Sequence, residues 1–105
     1  MGVTKSEIFT KNQNEVSAYA KLFAHPARIA ILEYLLSQNE CICSDLVLEI
    51  GLAQATISQH LKELKNRGLI KARVQGSSVC YCINRENWQK IKHTIDEFLS
   101  KVAKI

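Results

Sequence analysis

The segment "LAQATISQHLKELKNRGLI", residues 52–70, decides the fold. At 100° per residue, Ile57, Leu61 and Leu64 fall on one narrow apolar stripe, and Ala55, Gln59, Lys62 and Asn66 lie opposite it. The pattern predicts an amphipathic helix from about Ala53 to Arg67, stopped by Gly68. Just upstream, "DLVLEI" (45–50) predicts a brief helix that Ser44 caps and Gly51 ends. Two short helices joined by a tight glycine-containing turn make a helix-turn-helix. Downstream the period changes to alternation: "LIKARV" (69–74) and "VCYCI" (79–83) are strand-like runs across the turn "QGSS" (75–78). Ile70, Ala72 and Val74 are expected to face inward, matched by Val79, Tyr81 and Ile83.

Further out, "EVSAYAKLFAH" (15–25) predicts a first amphipathic helix, which His25-Pro26 stops because the residue before proline avoids helical dihedrals. Pro26 suits the first turn of the next helix, "PARIAILEYLLSQ" (26–38), with Ile29, Leu32, Leu35 and Leu36 on its buried side. Residues 40–43 are extended. After Asn84, which can cap, Trp88, Ile91, Ile95, Phe98, Leu99 and Val102 give a last helix a broad apolar face. The resulting fold class is mainly α with a small β-hairpin wing: a winged helix-turn-helix, helices at both termini forming a dimer interface. Residues 1–14 read as a flexible segment, and 15–105 as one DNA-binding and dimerisation domain.

A chain of 105 residues has room for one core. Its 47% apolar and 23% charged content fits a globular protein, and no run approaches the ~18 apolar residues of a membrane span. Gly2 and Ser6 fit the permissive N-myristoylation pattern, but the address expected is cytoplasmic, with no membrane partner. The formal charge of +4 suits a polyanionic partner. His25, His60 and His93 fall on three separate elements without a carboxylate pair or nucleophile motif, so no enzymatic activity is expected.

The outward face of the second helix of the motif carries the recognition chemistry. Gln54, Ala55, Thr56, Ser58 and Gln59 combine small residues, hydroxyls and amides, and Gln59 can pair with an adenine edge in the major groove. Thr56 and Ser58 suit phosphates near the helix N-terminus. Lys62, Lys65, Arg67, Lys71 and Arg73 continue as a basic run into the hairpin, whose tip begins at Gln75. A charge run is most often only a solvated face; its position beside the helix-turn-helix favours double-stranded DNA. His60 falls beside the core stripe and reads as structural. Tyr19, Trp88, Ile91, Ile95 and Phe98 read as a homodimer interface, because so wide an apolar face exceeds what one small domain covers.

"LFAHPARIAILEYLL" (22–36), "CICSDL" (41–46), "LAQATISQHLKELKNRGLI" (52–70) and "GSSVCYCIN" (76–84) together resemble the ArsR/SmtB family of bacterial metal- and redox-responsive repressors. The resemblance spans roughly residues 18–99. It implies a homodimeric winged helix on a two-fold symmetric operator, released when an inducer binds. Family members that sense arsenic or cadmium carry a Cys-x-Cys motif at the start of the helix before recognition; with Asp45-Leu46 held in register, Cys41 and Cys43 are shifted by one residue. Members that sense zinc through the last helix carry Asp, His and Glu where this chain has Arg85, Asn87, Phe98 and Lys101, so the resemblance does not extend to that site.

The chain uses all four cysteines in two Cys-x-Cys pairs, Cys41/Cys43 and Cys80/Cys82. In a winged helix the segment before the helix-turn-helix pairs with a wing strand, and alternation then puts all four thiols on the outer face. Such a cluster suits a thiophilic ion such as arsenite, Zn(II), Cd(II) or Cu(I), or oxidation to disulfides. The plain alternative is that cysteine is a small buried hydrophobe. The reading is a DNA-binding transcriptional repressor released by a thiophilic ion or by thiol oxidation. The rival is a small thiol- or metal-binding protein whose winged helix mediates protein contacts.

Overall fold

The computed structural model describes residues 5–38, 40–43 and 46–104. Gly2, Ser44 and Asp45, invoked above, lie outside the described residues. The order is α1 (Lys5–Ile8), α2 (Lys11–Lys21), α3 (Pro26–Leu36), α4 (Leu46–Ile50), α5 (Gln54–Asn66), β1 (Ile70–Gln75), β2 (Ser78–Ile83) and α6 (Arg85–Leu99), followed by a 3₁₀ turn, Ser100–Lys104. This is the expected winged helix-turn-helix. Among the described residues no helix is long and apolar enough to cross a membrane.

The described N-terminal residues include α1 and the start of α2. Thr10 and Gln13 form a reciprocal capping box: the Gln13 N–H donates to Thr10 Oγ1 at 3.0 Å, and the Thr10 N–H donates to Gln13 Oε1 at 2.9 Å. Two orphan N–H groups are thereby satisfied, and α2 starts at Lys11 rather than near Glu15. The signal was the Thr-x-x-Gln spacing.

The core gathers Leu22, Ile31, Leu32 and Leu35 against Ile57, Leu61 and Leu64, with Leu69, Ile70 and Ile83 closing it beneath the hairpin. In α3 the buried face differs from the expected one. Arg28, Ile31, Leu32 and Leu35 are buried, while Ile29 and Leu36 are 38% and 44% exposed. "PARIAILEYLL" is apolar around much of its circumference, so periodicity alone does not select a face. At the hairpin, Val74 and Val79 pair across the ladder but are 73% and 48% exposed, because the tip projects beyond the body. Ile91, read from sequence as an interface residue, is 3% exposed and packs in the core cluster of its own chain.

The exit from α5 is a Schellman motif. Gly68 N–H donates to the Lys65 carbonyl at 2.9 Å and Leu69 N–H to the Leu64 carbonyl at 3.0 Å, satisfying the last helix carbonyls. Gly68 holds φ at +80°, in the left-handed region that glycine enters without a Cβ penalty. Leu64 and Leu69 are both fully buried, so the helix end and the start of the hairpin pack as one joint.

Arg28 is the polar member of this interior, 9% exposed. Its Nε donates to His60 Nδ1 at 3.1 Å, and its Nη1 donates to the Lys21 carbonyl at 2.9 Å. It therefore joins the end of α2, the first turn of α3 and the middle of α5. Its charge also faces the negative end of α2. Accepting from Arg28 requires an unprotonated Nδ1, which leaves the proton of neutral His60 on Nε2. The His60 pKa is lowered from its ordinary 6.5 by burial first, then by Arg28 and His25, whose ring lies 5.4 Å away. The two histidines thus meet although they sit on separate elements.

Unfolded His60 takes up a proton as pH falls through about 6.5, whereas the folded ring resists until lower pH. The unfolded state then binds more protons, so the contribution of this site to stability, complete above 6.5, is lost on acidification. Wild-type protein is expected to lose melting temperature between about pH 8 and pH 5 more steeply than His60→Asn, which keeps an acceptor but cannot titrate there. Parallel slopes for the two proteins in thermal melts would show that the His60–Arg28 contact is not the titrating element.

Candidate nucleic-acid interface and cysteine cluster

The apolar stripe of α5 seats it on the core and leaves its opposite face in solvent. Gln54, Ala55, Thr56, Ser58, Gln59 and Lys62 are all exposed. Gln54 Nε2 donates to Ser58 Oγ at 2.9 Å, so two polar side chains of this face are already oriented by each other. The N-cap, Ala53, supplies no side-chain acceptor, and the first-turn N–H groups therefore point outward without a cap. His60 is half-buried and engaged by Arg28, away from this face.

The ladder of the hairpin places the basic residues of the wing. Lys71 pairs with Cys82, Arg73 with Cys80 and Gln75 with Ser78. Cross-strand partners share a face, so Lys71, Arg73 and Gln75 stand on the cysteine side of the sheet. All three are exposed.

The segment 40–43 docks beside β2 through a single antiparallel bridge. Ile42 N–H donates to the Tyr81 carbonyl at 2.7 Å, and Tyr81 N–H returns to the Ile42 carbonyl at 2.9 Å. That double exchange makes Ile42/Tyr81 the hydrogen-bonded pair. Its neighbours, Cys41/Cys82 and Cys43/Cys80, are then non-hydrogen-bonded pairs, for which antiparallel geometry brings Cα atoms to about 4.5 Å. The observed separations are 4.4 and 4.1 Å, and both pairs are joined as disulfides.

The four sulfurs are not equally placed. Cys43 is exposed, Cys41 and Cys82 are half-buried, and Cys80 is fully buried. The burial of Cys80 departs from the expectation of four outward thiols. Its strand lies in the middle, flanked by β1 on one side and residue 43 on the other. Gln75 Oε1 lies 3.3 Å from Cys43 Sγ and 3.5 Å from Cys80 Sγ, so a residue read from sequence as a DNA contact also touches the sulfurs. An open depression of about 810 Å³ borders Cys41, Cys43 and Cys82 and is lined by Lys71, Arg73 and Arg85 and by the carboxylates of Glu40 and Glu86. With the sulfurs joined in pairs no thiolate is free, and among the described residues no group of three or more His, Cys, Asp or Glu is placed to hold a metal ion.

Between α2 and α6, Tyr19, Trp88 and Ile95 are half-buried against the core, with Phe23 and Trp88 in an edge-to-face contact at 6.2 Å. Between α2 and α6 runs an apolar groove of about 520 Å³, bordered by Ala20, Phe23, Trp88 and Ile95 and floored by Ile91. Phe98, Leu99 and Val102 continue it as exposed apolar residues, and Phe98 is 47% exposed.

Comparison with known proteins agrees with this arrangement. The profile of the "Bacterial regulatory protein, arsR family" matches residues 25–72, from the start of α3 into β1. An HTH-type transcriptional regulator of Mycobacterium tuberculosis is 37% identical over 65 residues; the match takes in 62% of this chain and only 57% of that protein's length. The arsenical resistance operon repressor of Staphylococcus xylosus is 32% identical over 82 residues, 78% of each chain. Among solved structures, a homodimeric winged helix-turn-helix DNA-binding domain from Mycobacterium bovis superposes with a TM-score of 0.64 at 24% identity, covering 95% of this chain and 94% of that one. With a helix-turn-helix seated as described and a relative at this identity over most of its length, the chain belongs to the arsR family of bacterial regulatory proteins.

Proposed function

We propose that the protein is a homodimeric, sequence-specific DNA-binding transcriptional repressor of the cytoplasm, whose hold on its operator is set by the state of its four cysteines. The observation that carries this is the shared wing face. Arg73 and Lys71 are the cross-strand neighbours of Cys80 and Cys82, so sulfur chemistry occurs beside the residues that would meet phosphate.

In this reading the uncapped N-terminus of α5, with Thr56 and Ser58, takes backbone phosphates, and Gln59 reads a base edge. Lys62 and Arg73 supply charge on either side. The Schellman joint at Gly68 transmits the pose of α5 to the hairpin, and the bridge at Ile42 ties the segment leading into α4 to the same hairpin. In a reducing cytoplasm disulfides do not persist as struts, and paired cysteines there act as transient redox elements. When reduced, the same four positions present convergent thiolates, a soft donor set fit for arsenite, Zn(II), Cd(II) or Cu(I). The arsenical resistance operon repressor supports an inducer of that kind. Either event fixes residues 40–43 to the wing. A coupling of about 1–3 kcal/mol, the usual allosteric range, suffices to release DNA.

The groove between α2 and α6, with Phe98 and its exposed neighbours, is the surface for the second subunit. Two copies place two recognition helices on successive major-groove faces of a two-fold operator.

Gln59→Ala is expected to weaken operator binding by about 1–3 kcal/mol while sparing non-specific binding. Lys62→Ala and Arg73→Ala should lower affinity for all duplexes and flatten its dependence on salt. Titrations of operator and scrambled DNA at several salt concentrations separate the two; unchanged sequence preference in Gln59→Ala refutes the assigned orientation of α5.

Phe98→Glu places a charge on the α6 surface and should yield monomers with poor operator affinity, read by sedimentation and DNA titration. A wild-type chain that sediments as a monomer at micromolar concentration excludes the dimer.

The reduced wild-type protein is expected to release operator on addition of arsenite, Cd(II) or a disulfide-forming oxidant. The variant with Ser at positions 41, 43, 80 and 82 should bind operator and ignore all three. Full response by that variant, or none by wild type, removes the cysteines from the function.

A further inference from the structure

Within the reading of the cysteines as a switch, on which this inference rests, the two disulfides are not equivalent. In Cys41–Cys82 both residues are half-buried. In Cys43–Cys80 one partner is exposed and the other is fully buried. A dissolved oxidant or reductant must reach the sulfur it attacks, and thiol reactivity follows access as well as thiolate character. Cys80 offers no such access. Its strand is the central one, Arg73 is its neighbour across the ladder, residue 43 covers the other side, and the Gln75 carboxamide oxygen lies against both sulfurs. Cys43 is exposed, on a segment that among the described residues pairs with β2 on one side.

We propose that Cys43 is the thiol that a hydroperoxide modifies and that Cys80 is the resolving thiol held in reserve behind it. The Cys43 thiolate attacks the terminal oxygen of the hydroperoxide; the O–O bond breaks, Cys43 becomes a sulfenic acid, and the departing alkoxide takes a proton to become an alcohol. Cys80 then attacks the Cys43 sulfur. The S–O bond breaks, the S–S bond forms, and hydroxide leaves with the Cys80 proton as water. Two thiols and one hydroperoxide give one disulfide, one alcohol and one water, a two-electron oxidation of sulfur matched by the two-electron reduction of the peroxide bond. Reduction enters at the same sulfur by a different route: a small thiolate attacks Cys43 Sγ, the accessible end of the bond, and the Cys80 thiolate departs toward the interior, where Arg73 is its cross-strand neighbour. The mixed disulfide therefore forms on Cys43. A second small thiolate attacks the small thiol's sulfur, releasing the Cys43 thiolate and a small-molecule disulfide.

The test uses the full chain, reduced, with Cys41→Ser and Cys82→Ser to leave this pair alone. Adding Cys80→Ser should strand the reaction at sulfenic acid, so that hydrogen peroxide followed by dimedone labels Cys43. Adding Cys43→Ser instead should leave Cys80 labelled more slowly by at least about tenfold in the native protein. In guanidinium the two variants should label at similar rates, which assigns the native difference to the fold. Pulsed alkylation of reduced wild-type protein with peptide mapping gives the same ranking without any substitution. Native labelling of Cys80 as fast as Cys43, by either method, overturns the assignment. Operator titration of the same samples separates the two ideas. Rapid Cys43 oxidation with unchanged operator affinity sinks the switch and supports the order of attack, whereas release of operator with Cys80 reacting first does the reverse.

Discussion

A guanidinium taken out of water must find partners for its N–H groups or lose far more than its side chain gains by packing. Arg28 meets that demand with one carbonyl at the end of α2 and one ring nitrogen in the middle of α5. Hydrophobic stripes alone hold helices together while tolerating some rotation about their axes. A directional donor into His60 does not. The azimuth of α5, and hence which of its residues face outward, is set by the burial of Ile57, Leu61 and Leu64 and sharpened by this contact. Among the described residues no buried side-chain nitrogen or oxygen is left without a partner, so the interior contains no competing demand.

The wing depends on a different constraint, the alternation of an antiparallel ladder. One bridge, Ile42 to Tyr81, settles the neighbours on each side of it. A slip of one residue in the 40–43 segment would carry Cys41 and Cys43 away from the face on which Cys80 and Cys82 stand, and turn Ile42 off the inner face. The apolar residues Ile42, Tyr81 and Ile83 therefore enforce the meeting of the sulfurs, since they occupy one face and leave the cysteines the other, where the flanking strands still bury Cys80.

Much of this was legible in the sequence because local rules and tertiary needs agree there. The stripe of α5, the glycine after Arg67, the hairpin turn and the Asn84 cap, whose Oδ1 accepts from the Asn87 N–H at 3.2 Å, each follow from spacing. What escaped was decided by three-dimensional context. In α3, apolar residues on several sides let Ile31 and Arg28 displace Ile29 and Leu36 from the buried face. Ile91 fits a core pattern as well as an interface pattern, and the fold buries it at the floor of the α2–α6 groove. The contact of His60 with Arg28 joins residues 32 apart in sequence and has no local signature. The burial of Cys80 follows from the centrality of β2, which a strand pattern does not reveal. By contrast, the capping box at Thr10 and Gln13 was present in the letters.

The two disulfides span 41 and 37 residues, and one lies inside the other. Oxidised, the chain is topologically a ring with two arms. The ring contains α4, α5, β1 and most of β2; α2 and α3 hang from one side and α6 from the other. Closing the larger loop removes chain entropy from the unfolded ensemble worth about 4 kcal/mol at 25 °C on the loop-closure account, and the nested second bond adds little to that. This restriction falls on the ring alone. Sulfur oxidation thus divides one small domain into a cross-linked half, with the helix-turn-helix, and an open half, with the exposed apolar surface, so that the two halves differ in how freely they can fray.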